Sequence, residues 1–508
     1  MADEVESLVE EESLTKSVLK RSFWNFLTTS ISRFGAVIFT ILIARILQPE
    51  LYGLYGLATS VMSILLTFAD LGVNATLMRY VSLAIGAKDK EKVSAYFHYL
   101  LKIKIILTMF FALILLVISY PLSVYIFKKP DLAFPLAICS LYLILLSLIG
   151  ICETVFYTMQ QIKYISIKET LSQAMRIILP VLLIYWLANK LVGVIVGLML
   201  ASFIVLIFLF ILILKKYSFL FEKANKISKK EKKSILSYLV FLTLGSITSV
   251  FFSSVDMVML GAFVQSAYIG YYKAAFSIAT SIAGFISISY ILVPTFTQLE
   301  GKKLERAFNK AFHYSAMLAF PCAFGIILIA KPFISLIYGE SYISATIPLF
   351  LLSFLIIESV LGSLFSWAYN AKGKPKIPTK ILMTALILNI ILNYALIVSL
   401  LKFGQIYAVL GAAIAITVSR YFNSIALAIK AKKHLGIRLQ ISSITKPLIA
   451  SVIMFAALAA FQGITKLIWP YAVVEILFGA FFYFVVMVLI KGIGKEDFEL
   501  IRGLRNRT

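Results

Sequence analysis

Three guanidinium groups and four carboxylates interrupt stretches of this sequence that are otherwise apolar. Arg33, Arg176 and Arg420 stand inside such stretches, as do Asp70, Glu153, Asp256 and Glu358. In hydrocarbon an arginine near the centre of a helix costs about 2.5–3.5 kcal/mol on insertion scales. Ionisable groups kept at that cost face a cavity or a partner and mark a pathway. The chemistry available to the three arginines is recognition of an anion, and their planar donor fork suits phosphate. The competing role is an ion pair with an acidic residue of a neighbouring helix. Arg176 lies nearer one end of its stretch and has a further option, snorkelling to the surface. Lys273 opens an apolar stretch and is either interfacial or cavity-lining. Glu358 is the most central carboxylate. Burial favours its protonated form, so it can exchange a proton, and it is a candidate for ion coupling. Asp70 is the second such candidate, with a cap or a pair with Arg79 as the alternative. Glu153 and Asp256 lie nearer helix ends and are expected to be hydrated. Asn389 and Asn393 share a helix face at i, i+4 spacing and are suited to bonds between helices.

Other chemistries lack their residues. His98, His313 and His434 form no ligand cluster. Cys139, Cys152 and Cys322 are too widely spaced for a zinc motif and lie in apolar stretches, so they are expected to pack. Neither a metal nor a cofactor is expected.

The elements that position these groups follow from composition. The chain has 508 residues, 61% hydrophobic and 14% charged. Soluble proteins are roughly 45–50% apolar and about 25% charged. This balance excludes an ordinary soluble enzyme, a secreted disulfide scaffold and a disordered chain. A transmembrane helix needs about 20 mostly apolar residues, and about fourteen such runs are present. They lie near 22–46, 53–77, 100–126, 132–157, 170–189, 191–214, 237–262, 269–296, 311–331, 345–370, 379–401, 407–429, 446–468 and 471–491. The predicted fold is an all-α polytopic membrane protein. Its domains are an acidic tail at 1–21, a six-helix bundle at 22–214 and a basic linker at 215–236. A second six-helix bundle at 237–429, two added helices within 430–491 and a basic tail at 492–508 complete the chain.

The net charge of +24 is explained by topology. Of the 48 Lys and Arg, 37 fall in segments on the side of the amino terminus and 8 on the other, leaving the three mid-span arginines. Cytoplasmic loops collect Lys and Arg, so both termini are expected to be cytoplasmic, and nucleic-acid binding loses its motivation. Residues 1–14 are acidic, unlike a signal peptide, and the first run is expected to be a retained span. The outer loops are short and no DxD-like pair is present, which argues against a membrane glycosyltransferase, polymerase or ligase. The segment 332–344 is the longest of them, and a re-entrant or interfacial piece is expected there. Pro121, Pro180, Pro294 and Pro321 are candidate kinks, and Gly193-x-x-x-Gly197 is a candidate close-packing motif.

An internal repeat is also present. Tyr52-Gly53-Leu54-Tyr55-Gly56-Leu57-Ala58-Thr59-Ser60 corresponds to Ile269-Gly270-Tyr271-Tyr272-Lys273-Ala274-Ala275-Phe276-Ser277 at an offset of 217, with Gly, Tyr, Ala and Ser matching. Phe97-His98-Tyr99 corresponds to Phe312-His313-Tyr314 at an offset of 215. Six spans separate the copies, so both halves share one orientation, an arrangement known among secondary transporters.

The join Ala44-Arg45-Ile46-Leu47-Gln48-Pro49-Glu50-Leu51-Tyr52-Gly53-Leu54-Tyr55, with Ala69-Asp70-Leu71-Gly72 downstream, resembles the polysaccharide-transport branch of the multidrug/oligosaccharidyl-lipid/polysaccharide exporter superfamily. The resemblance extends over essentially the whole chain. It implies two six-helix bundles around a central cationic cavity. It also implies a flippase that moves a lipid-(pyro)phosphate-linked oligosaccharide to the outer leaflet of the cytoplasmic membrane by alternating access. The site residues would then be Arg33, Arg176, Arg420, Lys273, Asn389 and Asn393 for the substrate, and Glu358 and Asp70 for coupling to H+ or Na+. The expected partners are that substrate and membrane lipids, with the protein a monomer and not an enzyme. A peptidoglycan-precursor flippase and a multidrug or organic-cation exporter coupled to H+ or Na+ are the alternatives; a carboxylate-dominated cavity would favour the exporter.

Overall fold

The computed structural model describes all residues except Met1, 223–226, 290–291, 465–470 and 494–508. The basic tail expected at 492–508 therefore lies, from residue 494 on, outside the described residues. The chain is 90% helical, with no strand among the described residues, as expected of an all-α polytopic membrane protein. The helices are α1 (Ala2–Asp70), α2 (Val73–Gly86), α3 (Lys90–Pro121), α4 (Ala133–Thr158), α5 (Ile162–Trp186), α6 (Lys190–Lys216), α7 (Lys229–Phe263) and α8 (Ser266–Ile286). They continue with α9 (Val293–Gln298), α10 (Gly301–Tyr338), α11 (Thr346–Leu352), α12 (Phe354–Ala371), α13 (Lys376–Leu401), α14 (Gln405–Leu435), α15 (Ser442–Ile464) and α16 (Tyr471–Leu489).

Ten helical stretches among the described residues are long and apolar enough to cross a membrane, and Glu340–Leu352 and Val474–Leu489 are shorter apolar pieces. Leu27–Gly86 counts once although it carries the first two expected spans. α5 is not among the ten, because Lys168, Glu169, Gln173 and Arg176 dilute its apolar character. On α3 the exposed residues Ile106, Phe110, Leu113 and Val117 form an apolar stripe, which in water would be a liability and in lipid is the contact surface. Tyr185 and Trp186 end α5 as highly exposed aromatics, the residue type that anchors helices at the membrane interface.

Two expected spans are interrupted. The run 269–296 is not one helix: α8 stops at Ile286, where Ser287 turns extended, and α9 starts at Val293. Pro294 therefore sits in the first turn of α9, where its missing N–H breaks no hydrogen bond, and kinks nothing. The run 345–370 is divided between α11 and α12 at Ser353, whose hydroxyl donates to Phe350 O (2.8 Å). In 332–344, α10 continues to Tyr338, and Gly339 at φ 98° turns the chain into a 3-10 turn at Glu340–Ala345. Tyr342 there is fully buried.

The chain forms two compact units, one from 1–47 with 54–262 and the other from 48–53 with 263–508. In the first, Val73 and Leu77 of α2, Phe97 and Leu100 of α3, Phe156 of α4, Leu209 of α6 and Ile235 of α7 form a common core. The Gly193/Gly197 pair meets the backbone of α5 at Leu183–Ile184 and at Pro180. In the second unit, α15 and α16 pack through Met454, Leu458, Tyr483 and Met487 against Met317, Phe324 and Leu328 of α10.

The assignment of 48–53 to the second unit has a local cause. α1 is broken at Gln48 (φ 60°, ψ 169°), immediately before Pro49, which restricts the residue preceding it. Beyond the break, a Cβ on Gly53 would lie 1.9 Å from the carbonyl oxygen of Ser266, and one on Gly270 would lie 2.0 Å from that of Pro49. Under the offset of 217, Gly53 maps to Gly270 and Pro49 to Ser266. The two contacts therefore exchange into one another, a local two-fold built from the repeat. Only glycine permits this approach. Gly53→Ala and Gly270→Ala are each expected to cost about 1–3 kcal/mol by overpacking, seen as a lower thermal midpoint in detergent. A midpoint equal to that of the unaltered protein would remove the crossing as a constraint on the fold.

Candidate functional site

In the first unit α1, α4 and α5 bring together most of the intramembrane charge. Lys168 of α5 donates to Glu153 of α4 (2.6 Å) and to its neighbour Glu169 (2.8 Å). Glu169 also accepts from Gln173 Nε2 (2.7 Å) and bonds to Ser32 of α1. Gln173 lies against Gly35, which fixes the α1–α5 spacing. Glu153, expected to be hydrated, is 27% exposed and is also engaged with a buried lysine, because α4 and α5 run back past one another and bring residues 153 and 168 together.

Arg33 lies one residue from Ser32 but takes no part in this network. Among the described residues it has no ion pair and no hydrogen bond, and it is exposed, as are its neighbour Phe34 and, one turn beyond Phe34, Ile38. Arg176, one turn beyond Gln173, behaves differently. Its guanidinium lies 4.2 Å from the Phe39 ring centroid, bonds to Tyr55 and is close to Tyr142. It turns inward onto aromatic residues rather than snorkelling outward. Its Nε is buried without a hydrogen-bond partner.

Asp70 pairs with Lys104 of α3 at 2.5 Å, not with Arg79, whose guanidinium stacks on Tyr238. The geometry explains the choice. Leu71 (φ 41°) and Gly72 (φ 75°) end α1 in left-handed conformations, and Thr243 of α7 donates to Leu71 O (2.8 Å). This turn aims Asp70 across to α3. Lys104, near the start of the run 100–126, is 1% exposed. A helix that begins at Lys90 carries residue 104 about 21 Å along its axis, and that length is the sequence signal that would have placed Lys104 inside. Asp256, expected to be hydrated, is also buried.

The second unit holds Glu358 on α12, which is 5% exposed. Ser424 of α14 donates to its Oε1 (2.7 Å), while Oε2 has no hydrogen bond among the described residues. Arg420, one turn earlier on α14, acts electrostatically on this carboxylate, and Tyr421 donates to Phe354 O at the start of α12 (3.0 Å). Glu358 and Arg420 are thus brought together; Ser424 and Tyr421 were not foreseen. Asn389 and Asn393 are both fully buried on α13. Asn393 Nδ2 donates to Asn389 O (3.1 Å), and neither side-chain atom of Asn389 has a hydrogen-bond partner among the described residues. Lys273 sits 5.2 Å from the Tyr52 ring centroid, in an aromatic group that joins Tyr52, Tyr271 and Tyr338 to Tyr342. The structure therefore places the candidates in two sets, Arg33, Arg176 and Asp70 in one unit and Arg420, Glu358, Asn389, Asn393 and Lys273 in the other.

A family model described as polysaccharide biosynthesis protein matches residues 18–300, more than half of the chain. The chain belongs to this family. Among its relatives is a probable low-salt glycan biosynthesis flippase, Agl15 of Haloferax volcanii, 26% identical over 291 residues, which are 55% of this chain and 59% of the relative. The match thus spans less than two thirds of that relative. An uncharacterised membrane protein in the cps region of Klebsiella pneumoniae is 22% identical over 81% of this chain and 82% of its own. Among solved structures, the lipid II flippase MurJ in an inward closed conformation has a TM-score of 0.73 at 18% identity, over 93% of this chain and 98% of that one. The family member described here thus has the all-helical fold shared by MurJ and, at a TM-score of 0.61 and 16% identity over 80% of this chain and 98% of that one, by an inward-facing MATE multidrug transporter.

The Asp70–Lys104 pair supplies a test of the charge assignments. Asp70→Asn leaves a buried ammonium without its counter-charge and is expected to cost about 3 kcal/mol. Asp70→Asn combined with Lys104→Met is expected to recover most of the lost thermal stability. A double variant no more stable than Asp70→Asn alone would show that the two residues are not coupled.

Proposed function

We propose that this protein is a flippase for a lipid-(pyro)phosphate-linked oligosaccharide. It moves that substrate from the cytoplasmic to the outer leaflet by alternating access, for assembly of a cell-surface polysaccharide or glycan. It works as a monomer with both termini in the cytoplasm. Membership of the polysaccharide biosynthesis family and the likeness to a glycan biosynthesis flippase support the reading.

The observation that carries it is Arg33. A mid-helix guanidinium that is exposed, and paired with no carboxylate among the described residues, has its donor fork available for phosphate. The nearby acids are already held by Lys168. In this reading Arg33 binds the head group. Arg176 and Lys273 hold the aromatic surroundings, and Asn389 and Asn393 hold α13 in place. Glu358, with one oxygen on Ser424 and Arg420 close by, couples transport to H+ or Na+. The substrate's hydroxyls and phosphates set the barrier, because each unpaired polar group dragged through hydrocarbon costs several kcal/mol.

Flipping of a defined lipid-linked oligosaccharide by the protein in liposomes tests this. Arg33→Ala is expected to slow flipping roughly 30- to 150-fold, the loss of about 2–3 kcal/mol from a charge-assisted hydrogen bond, with membrane insertion unchanged. Arg33→Lys keeps the charge without the fork and is expected to restore part of the rate. Unaltered flipping by Arg33→Ala would remove Arg33 from the mechanism, and transport of a cationic dye instead of the lipid-linked sugar would overturn the substrate class. Glu358→Gln is expected to abolish the response of flipping to an imposed proton or sodium gradient, and a response of normal size would exclude Glu358 as the coupling group.

A further inference from the structure

The basic residues around 230 contribute more than a topology signal. Within the first unit, α2 and the first turns of α7 leave an open pocket of about 590 Å³ lined by Arg79, Tyr80, Lys230, Lys233, Ser234 and Tyr238. On α7 the positions 230, 233, 234, 237 and 238 follow helical spacing and form one face, and that face is turned to the pocket. Among the described residues no carboxylate lines it. The one acid within this stretch, Glu231, is engaged elsewhere: it accepts from Ser228 N (3.0 Å) and Oγ (2.7 Å) and from Tyr96 OH (3.1 Å). These bonds hold its carboxyl below the usual range, so it stays a charged acceptor turned to its own partners.

The walls are ordered by aromatic packing. The Arg79 guanidinium lies 4.4 Å from the Tyr238 ring centroid. Tyr80 packs edge-on to both Tyr96 and Tyr238, and its hydroxyl is 2.9 Å from Ser234 Oγ. Among the described residues Arg79, Lys230 and Lys233 pair with no carboxylate. Three cations thus share one open concavity with the hydroxyl groups of Tyr80, Ser234, Ser237 and Tyr238. A topology signal needs only positive charge on one side of the membrane. It does not need a stacked guanidinium or a hydroxyl pair. The group that satisfies a donor fork, two ammonium charges and hydroxyl donors together is a phosphate. At the cation-rich surface of a membrane protein the abundant phosphates are those of anionic lipids.

We propose that the pocket between α2 and the start of α7 binds the phosphate of an anionic phospholipid headgroup. The site shares no residue with the transport reading above and does not rest on it.

Native mass spectrometry of the full chain, released from nanodiscs of mixed phosphatidylglycerol and phosphatidylcholine, tests this by the lipid that stays bound. The unaltered protein is expected to retain phosphatidylglycerol preferentially. The variant Arg79→Gln, Lys230→Gln, Lys233→Gln is expected to lose that preference by about tenfold or more. The variant Lys302→Gln, Lys303→Gln, Lys310→Gln removes the same charge from α10 and is expected to keep it. Ser237→Trp fills the pocket with its charge intact and is also expected to lose it, so the proposal stays testable if the triple variant folds poorly. Equal losses from both triple variants, no preference in the unaltered protein, or full retention by Ser237→Trp would each overturn the site. Displacement of the retained lipid by inorganic phosphate as readily as by added phosphatidylglycerol would overturn the lipid as its source.

Discussion

Charge inside a bilayer must be paired or wet, and this constraint accounts for how the intramembrane residues are arranged. Lys168 is shared by Glu153 and Glu169, Lys104 is closed by Asp70, and Arg176 lies on the ring of Phe39 beside tyrosine hydroxyls. Each of these cations is accounted for inside the protein. Arg33 is not. It stands beside the most elaborate of these networks, and the acids there are already taken. Hydrocarbon would cost such a group about 2.5–3.5 kcal/mol, and the proposed role in head-group binding is what would offset that cost.

The same constraint separates α5 and α12 from helices such as α3 and α6. The latter carry most of their apolar residues outward, although on α3 Lys104 and Thr108 turn inward to Asp70 and Ser147. The former bring polar groups inward, where Glu169 meets Gln173 on its own helix and Ser32 of α1, and Glu358 meets Ser424 of α14. The crossing of Gly53 and Gly270 is the backbone counterpart. Two equivalent segments approach so closely that no side chain fits, and the contacts they make are interchangeable under the repeat. The residues matched by the repeat are buried alike. Phe97 and Phe312 both lie in the core, as do Ala58 and Ala275.

Much of this was legible in the sequence, and for physical reasons. The apolar runs, the cation asymmetry and the motif around Tyr52-Gly53 are local or additive properties, and they pointed to an all-helical membrane protein of this family. Partner choice was not legible, because it depends on where helices cross. A pair between Asp70 and Arg79, nearby in sequence, was one expected alternative, but the left-handed turn at Leu71-Gly72 directs Asp70 to Lys104. Lys168 stands just outside the run 170–189 because α5 begins at Ile162, ahead of its apolar stretch, and Lys104 lies a few residues into the run 100–126 on a helix that begins at Lys90. The break after Ile286 was hidden within continuous hydrophobicity, which does not distinguish one helix from a helix followed by an extended turn.

The central claim is that Arg33 occupies a wet position that the substrate's phosphate can reach. Labelling of Arg33→Cys by a membrane-impermeant maleimide, in a chain whose Cys139, Cys152 and Cys322 have been replaced by alanine, addresses it directly. The account predicts that Arg33→Cys is labelled and that a lipid-linked oligosaccharide protects it. A thiol at position 33 that resists the reagent, while reacting with a lipid-soluble one, would place Arg33 against acyl chains and contradict the account.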